Sequence, residues 1–262
     1  MPRSFSQLQM YRTCPRQYEF GCVKKIPKGH ISAGESFGIS MHSTLQKWGN
    51  AELGSAHSGV PKEDQITMFE TPSAVEQREL NIDLLHEYWY SSFVVEGYET
   101  RVEADMARNR GAEILRYYFD WWQQQDLSVL AVEKGFRLDL EGMELSGRFD
   151  RVEMVEGGVK VIDFKTSAVR TQDQVDADLQ LSVYAMACEK VFDLPCKELC
   201  FLFLREDGVT EVLTKRNDSQ LSDSKKQILF VDKAIESKDF RPTPSKRTCN
   251  WCPYRNVCDM AS

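Results

Sequence analysis

Asp150, Asp163 and Lys165 fall within one stretch, Leu145 to Thr166, whose pattern reads as a β-hairpin. An apolar-rich run leads to a Gly157-Gly158 turn, and Val159-Lys160-Val161-Ile162 follows as the return strand. Side chains alternate along a strand, so Asp163 and Lys165 point the same way. Asp150 lies on the partner strand and can face the same pocket. Carboxylates are hard oxygen ligands suited to Mg²⁺, and an ammonium stabilises charge that develops on a phosphate. Such a trio suits metal-assisted chemistry on an anionic substrate. An ordinary hairpin with surface charges carries Asp-x-Lys equally well, so the trio needs support from the elements around it.

The elements that must position the trio read as follows. Ser4-x-x-Gln7 has the form of a capping box and opens a helix to about Phe20, broken near Cys14 by Pro15. A second helix is expected over 37–53, carrying Gly38-x-x-x-His42. Residues 54–72 read as a loop or insertion, and helical stretches follow over about 73–95 and 99–125. A strand over 129–140 contains Glu133. After the hairpin come a helix over 172–192, strands over 198–205 and 209–214 turning at Asp207-Gly208, and a helix from about 218 to 237. Gln180 and Tyr184 are four apart and so share one helical face. The order fits an α/β fold with a central mixed sheet flanked by helices. The aromatic groups Tyr88-Trp89-Tyr90 and Tyr117 to Trp122 are of a type that stacks on bases, but at helical spacing they read as core.

Gly147-x-x-Asp150, then Asp163-x-Lys165-Thr166, then Gln180-x-x-x-Tyr184, in that order, resembles the PD-(D/E)XK nuclease superfamily in its RecB-like branch. The resemblance runs from Cys14 to Cys258, loosely over 54–128. It implies a restriction-endonuclease-like core in which His42, Asp150 and Asp163 hold Mg²⁺ or Mn²⁺ together with the Phe164 carbonyl. Ile39 stands where many relatives have threonine before that histidine. It also implies that Lys165 orients water or stabilises the transition state, that Gln180 and Tyr184 border the pocket and position DNA, and that Glu133 is an auxiliary beside the metal. The expected activity is that of a metal-dependent deoxyribonuclease, a single-strand exonuclease of DNA repair, recombination or CRISPR adaptation. The alternative is a DNA-binding or scaffold subunit of a helicase–nuclease complex that keeps the fold and does not cut. The intact Asp150, Asp163 and Lys165 argue against it.

The chain closes on Cys249-x2-Cys252-x5-Cys258. Three thiolates leave a four-coordinate site incomplete, so a further ligand must come from elsewhere, and the resemblance implies Cys14, in Tyr11-x-x-Cys14-Pro15-Arg16, for that place. That arrangement resembles the iron–sulfur nucleases of the AddB and CRISPR-adaptation type, which implies a [4Fe–4S] cluster clipping the two ends together. A structural Zn²⁺ is the rival, because spacing alone does not separate the metals. Cys22, Cys188, Cys196 and Cys200 read as buried apolar residues.

The 262 residues are read as a single domain, with a helical elaboration over about 54–127, a catalytic core over about 128–216, and a terminal helix and cysteine cluster over 217–262. The hydrophobic fraction of 42% supports a sizeable core. The net charge of −7 has the wrong sign for a nucleic-acid binder, so phosphate contacts must come from local clusters. Arg12, Arg16, Lys24 and Lys25 are the expected cluster. No GxxxxGK[ST] loop is present, so any helicase motor is another chain. No apolar run is long enough for a membrane span, and the first residues lack a signal peptide's apolar centre. The expectation is a cytoplasmic protein whose partner is DNA.

Overall fold

A computed structural model describes residues 2–29, 31–57, 79–125 and 128–261. The expected segment over 54–72 and the first part of the helix expected from 73 lie largely outside the described residues. In chain order the elements are β1 (Arg3–Ser4), α1 (Phe5–Thr13), α2 (Pro15–Tyr18), α3 (Ala33–His57), α4 (Ile82–Ser92), α5 (Arg101–Gln123), β2 (Val129–Leu140) and β3 (Met143–Val155). They continue with β4 (Gly158–Lys165), α6 (Gln172–Asp176), α7 (Leu179–Phe192), β5 (Cys196–Arg205), β6 (Gly208–Thr214), α8 (Asp218–Glu236) and α9 (Lys246–Asn250). The result is the expected mixed sheet flanked by helices.

The hairpin turns one residue earlier than expected. Val155 pairs with Gly158, so Glu156 and Gly157 form the turn, with Gly157 at φ +74°. Gly158 already belongs to β4, where a Cβ would lie 2.2 Å from the Pro195 carbonyl oxygen. Antiparallel β2–β3–β4 is extended by β5, parallel to β4, and by antiparallel β6. Short β1 runs parallel to the start of β3 at Leu145 and Ser146. Strand β4 is buried from Gly158 to Phe164, as befits a central strand covered on both faces.

Each sheet face buries a different set of helices. Leu8 of α1, Leu181 and Tyr184 of α7 and Ile228 of α8 pack on Phe149, Val161 and Phe201. Phe37, Met41 and Trp48 of α3, with Trp89 of α4 and Tyr118 of α5, pack on Ile162, Phe164 and Leu202. Trp89 and Tyr118 are fully buried, so these rings serve the core. The helix expected over 172–192 is two: α6 ends before Ala177, and Asp178 caps α7 by accepting from the Gln180 and Leu181 amides. The first helix breaks at Cys14, where the following Pro15 implies a break, and Cys14 is extended at φ −162°.

One ionic knot fastens α3 to β3. Arg151, 2% exposed, forks onto both carboxylate oxygens of Glu52 and donates to Glu153 Oε1 at 2.7 Å. Trp122 Nε1 also donates to Glu52 at 2.6 Å. Glu52→Ala leaves Arg151 its Glu153 partner but removes two buried charge-assisted hydrogen bonds and the acceptor of Trp122, so it should destabilise the protein by about 3–5 kcal/mol. Urea unfolding checks this, and a change below about 1 kcal/mol would show that Arg151 is not held by Glu52.

Candidate active site

The ladder between β3 and β4 ends at the pair Arg151↔Ile162. The next two residues, Asp150 and Asp163, therefore stand where the strands part. Asp150 takes over the ladder's role by accepting from the Phe164 N–H through Oδ2 at 3.0 Å. Strand alternation then separates Asp163 and Lys165, which face α7, from Ile162 and Phe164, which face α3.

Asp163 is 2% exposed and heavily tied down. Its Oδ1 accepts from Gln180 Nε2 at 2.8 Å and from the Tyr184 hydroxyl at 2.9 Å. Lys165 Nζ lies 2.6 Å from Asp163 Oδ2 and donates to Gln180 Oε1 at 3.1 Å. It also sits 4.8 Å from the centre of the Phe201 ring. Asp163 Oδ2 itself is buried with no hydrogen bond of good geometry, only the ion pair to Lys165. Burial pushes the Tyr184 hydroxyl well above its ordinary pKa, with the Asp163 charge adding to this, so Tyr184 stays a donor.

On the other side, His42 of α3 brings Nδ1 to 3.4 Å from Asp150 Oδ2. His42, Glu133 and Asp150 each offer one ligand atom, and these atoms all lie within 4.8 Å of one another. Among the described residues they form the one such group of metal-ligating types. Glu133, expected as an auxiliary, thus stands with His42 and Asp150, and Asp163 lies outside that group of three. The pairs Val132↔Arg151 and Lys134↔Phe149 bracket Glu133 and Asp150, so those two carboxylates face each other across β2 and β3. Glu133 has φ +49°, a left-handed conformation costly for a side chain with a Cβ. Nothing in the sequence signals that backbone twist.

The electrostatics are those of a buried acidic site. Burial, and then the charge of Asp163, raise Asp150 well above the usual carboxylate range. Burial lowers His42, against the pull of Asp163, which favours the neutral, ligating imidazole. Three converging ligand groups, an under-coordinated Asp163 oxygen and a carboxylate driven to hold a proton all fit a divalent ion. Metal uptake should therefore displace a proton from Asp150. Affinity for Mn²⁺ should rise with pH as Asp150 gives up its proton and then level off. His42→Ala should weaken Mn²⁺ binding throughout. Calorimetry in two buffers of different ionisation heat would count the protons, and identical Mn²⁺ affinity for His42→Ala would remove His42 from the ligand set.

The four expected cysteines also come together. Cys14, Cys249, Cys252 and Cys258 line one cavity with Arg16 and Arg255. Burial pushes the Cys252 thiol up, and the nearby Cys14, Cys258 and Cys249 push it further. No disulfide is formed among the described residues. Around the cavity the chain ends are knitted by Thr243 Oγ1 donating to the Thr13 carbonyl at 3.2 Å and by Tyr254 edge-on to Phe20 at 5.8 Å. Arg16 and Lys24, two of the expected phosphate contacts, both pair with Glu19, at 2.9 and 3.0 Å.

The chain is 23% identical over 296 aligned positions to the Gene 69 protein of Mycobacterium phage L5, covering 98% of this chain and 96% of the relative. It is 24% identical over 280 positions to the Gene 69 protein of Mycobacterium phage D29, with the same coverage of both chains. The crystal structure of the "Putative exonuclease" from Eubacterium rectale superposes with a TM-score of 0.48 at 10% identity, over 100% of this chain and 89% of that one. No helix among the described residues is long and apolar enough to cross a membrane. The model of the PD-(D/E)XK nuclease superfamily matches residues 2–259, nearly the whole sequence, and the chain belongs to that superfamily.

Proposed function

We propose that this protein is a RecB-like, metal-dependent deoxyribonuclease that works as an exonuclease on single-stranded DNA. The observation that carries the reading is the convergence of His42, Glu133 and Asp150 beside the Asp163–Lys165 pair at the parting of β3 and β4. Mg²⁺ or Mn²⁺ held by His42, Glu133 and Asp150, with Asp163 alongside, would neutralise the scissile phosphate and lower the pKa of the attacking water. Lys165, fixed by Asp163 and Gln180, faces the same opening and stabilises the charge that builds on the phosphate as water adds and the sugar oxygen leaves. Gln180 and Tyr184 hold the Asp163 carboxylate in one orientation, which keeps the lysine poised. A subunit that only bound DNA would have no physical need for a buried carboxylate driven to protonation beside a second one.

The second part of the proposal is a [4Fe–4S] cluster on Cys14, Cys249, Cys252 and Cys258. Its support is the one cavity that all four cysteines line. The proposed settings are DNA repair, recombination or CRISPR adaptation, alone or with a helicase partner.

The test is an end-labelled oligonucleotide, single- or double-stranded, incubated with Mg²⁺, Mn²⁺ or EDTA. Stepwise shortening of the single strand in either metal is expected. Internal cuts, or preference for duplex, would overturn the exonuclease or single-strand assignment.

A further inference from the structure

The face of the β2–β3 hairpin that leads away from Glu133 and Asp150 is basic, in a chain of net charge −7. Register pairs Gly135 with Arg148 and Arg137 with Ser146, so these four residues share one side of the hairpin. Phe136, between them, turns the other way and covers Gly147 so closely that a Cβ there would lie 2.2 Å from the ring. A shallow groove runs along the outer side, lined by Arg137, Arg148, Ser146, Ser4, Ser6 and the glycines, with no carboxylate in its lining. It is bounded at one end by Glu133 and Asp150 and at the other by the facing pair Asp139↔Glu144.

Both arginines are available. Arg137 is 78% exposed and its partner Glu144 sits 3.1 Å away. Arg148 is 64% exposed and reaches Glu133 at 3.1 Å. Exposed pairs of this kind hold weakly and exchange for a better anion. Arg148 is the more informative of the two, because its partner belongs to the proposed metal centre. A divalent cation that takes the Glu133 carboxylate both removes Arg148's partner and repels the guanidinium.

We infer that the groove between Ser4, Arg137 and Arg148 binds the sugar–phosphate backbone of the nucleic-acid strand next to the scissile bond, with Arg148 released to it when a cation occupies Glu133. This rests on the nuclease reading above and adds the path the substrate takes. Two phosphate contacts fit, one for each arginine, with one hydroxyl of the Ser4–Ser6 pair as a further donor. Two strand positions, or about 7 Å, separate Arg148 from Asp150, so the phosphate that Arg148 binds is a neighbour of the reacting one. The acidic pair Asp139 and Glu144 closes the track at its far end.

The test is the affinity of a fluorescein-labelled single-stranded oligonucleotide against salt concentration, in Ca²⁺ and in EDTA, for wild type, Arg137→Gln, Arg148→Gln and the double variant. In Ca²⁺ each single variant should flatten the slope of log K against log salt by about 0.7, and the double variant by about 1.4. In EDTA the loss from Arg148→Gln should be smaller than in Ca²⁺, while that from Arg137→Gln stays the same. Equal slopes for all four proteins, with wild type still cutting in Mn²⁺, would overturn the groove and leave the nuclease reading standing. An equal Arg148→Gln loss in Ca²⁺ and EDTA would overturn the exchange with Glu133. Wild type that neither binds nor cuts would overturn both readings. Both side chains are exposed, and unchanged melting temperatures confirm that the variants are folded.

Discussion

Lys165→Ala should slow metal-dependent cleavage by on the order of 10²–10³ while leaving DNA affinity close to wild type. The lysine is one cation of many that a strand can meet, so uniform binding changes little. Its position, though, is held by Asp163 at 2.6 Å and Gln180 at 3.1 Å at the edge of the acidic cluster. A group fixed that way serves the charge that appears only in the transition state. The loss should therefore fall on the maximal rate rather than on the substrate concentration needed to reach it. Removing Nζ also leaves the buried Asp163 oxygen without its ion pair, so melting temperature must be read alongside. Lys165→Met keeps the packing over Phe201 and should be equally slow. A Lys165→Ala enzyme cutting at the wild-type rate would mean that the reacting phosphate sits elsewhere.

Cys14→Ala should give a colourless, poorly soluble and inactive protein, although Cys14 touches none of the groups at the parting of β3 and β4. The thiol lines the same cavity as Cys249, Cys252 and Cys258, and 258 − 14 = 244 positions of chain lie between the first and last of them. A centre bonded to both ends closes that loop in the unfolded state too. By comparison with a disulfide closing ~100 residues, the stabilisation is about 5 kcal/mol, comparable to the whole stability of many domains. Wild type prepared without air should be brown and contain iron. One equivalent of zinc with no iron would keep the clip and discard the cluster. Unchanged metal content and melting temperature in Cys14→Ala would discard the clip.

Much of the centre can be read from local spacing. Period-two alternation puts Asp163 and Lys165 on one side of β4, and the four-residue step brings Gln180 and Tyr184 together, where both donate to Asp163. The turn is misread by one position because two adjacent glycines fit the same motif, and only the approach of Pro195 assigns Gly158 to the strand. What spacing does not carry is contact across long separations. Glu52 and Arg151 are 99 positions apart, and neither has a local signal of their buried pairing. Glu133 enters the metal-ligating group through a left-handed backbone that an alternating strand pattern hides. Arg137 and Arg148, eleven residues apart, likewise become neighbours only through the β2–β3 register.

The most direct measurement is single-turnover cleavage of a labelled single strand in Mn²⁺ by wild type and by Asp150→Asn, at protein concentrations that saturate DNA binding in both. Asp150→Asn keeps the size of the side chain and the oxygen that accepts from Phe164 N–H, but removes the charge at the centre of the cluster. Wild type should cut in Mn²⁺ and stop in EDTA, while the variant binds the strand and leaves it intact. Cleavage by Asp150→Asn at the wild-type rate, or cleavage by wild type that persists in EDTA, would contradict a divalent-metal nuclease centre at the parting of β3 and β4.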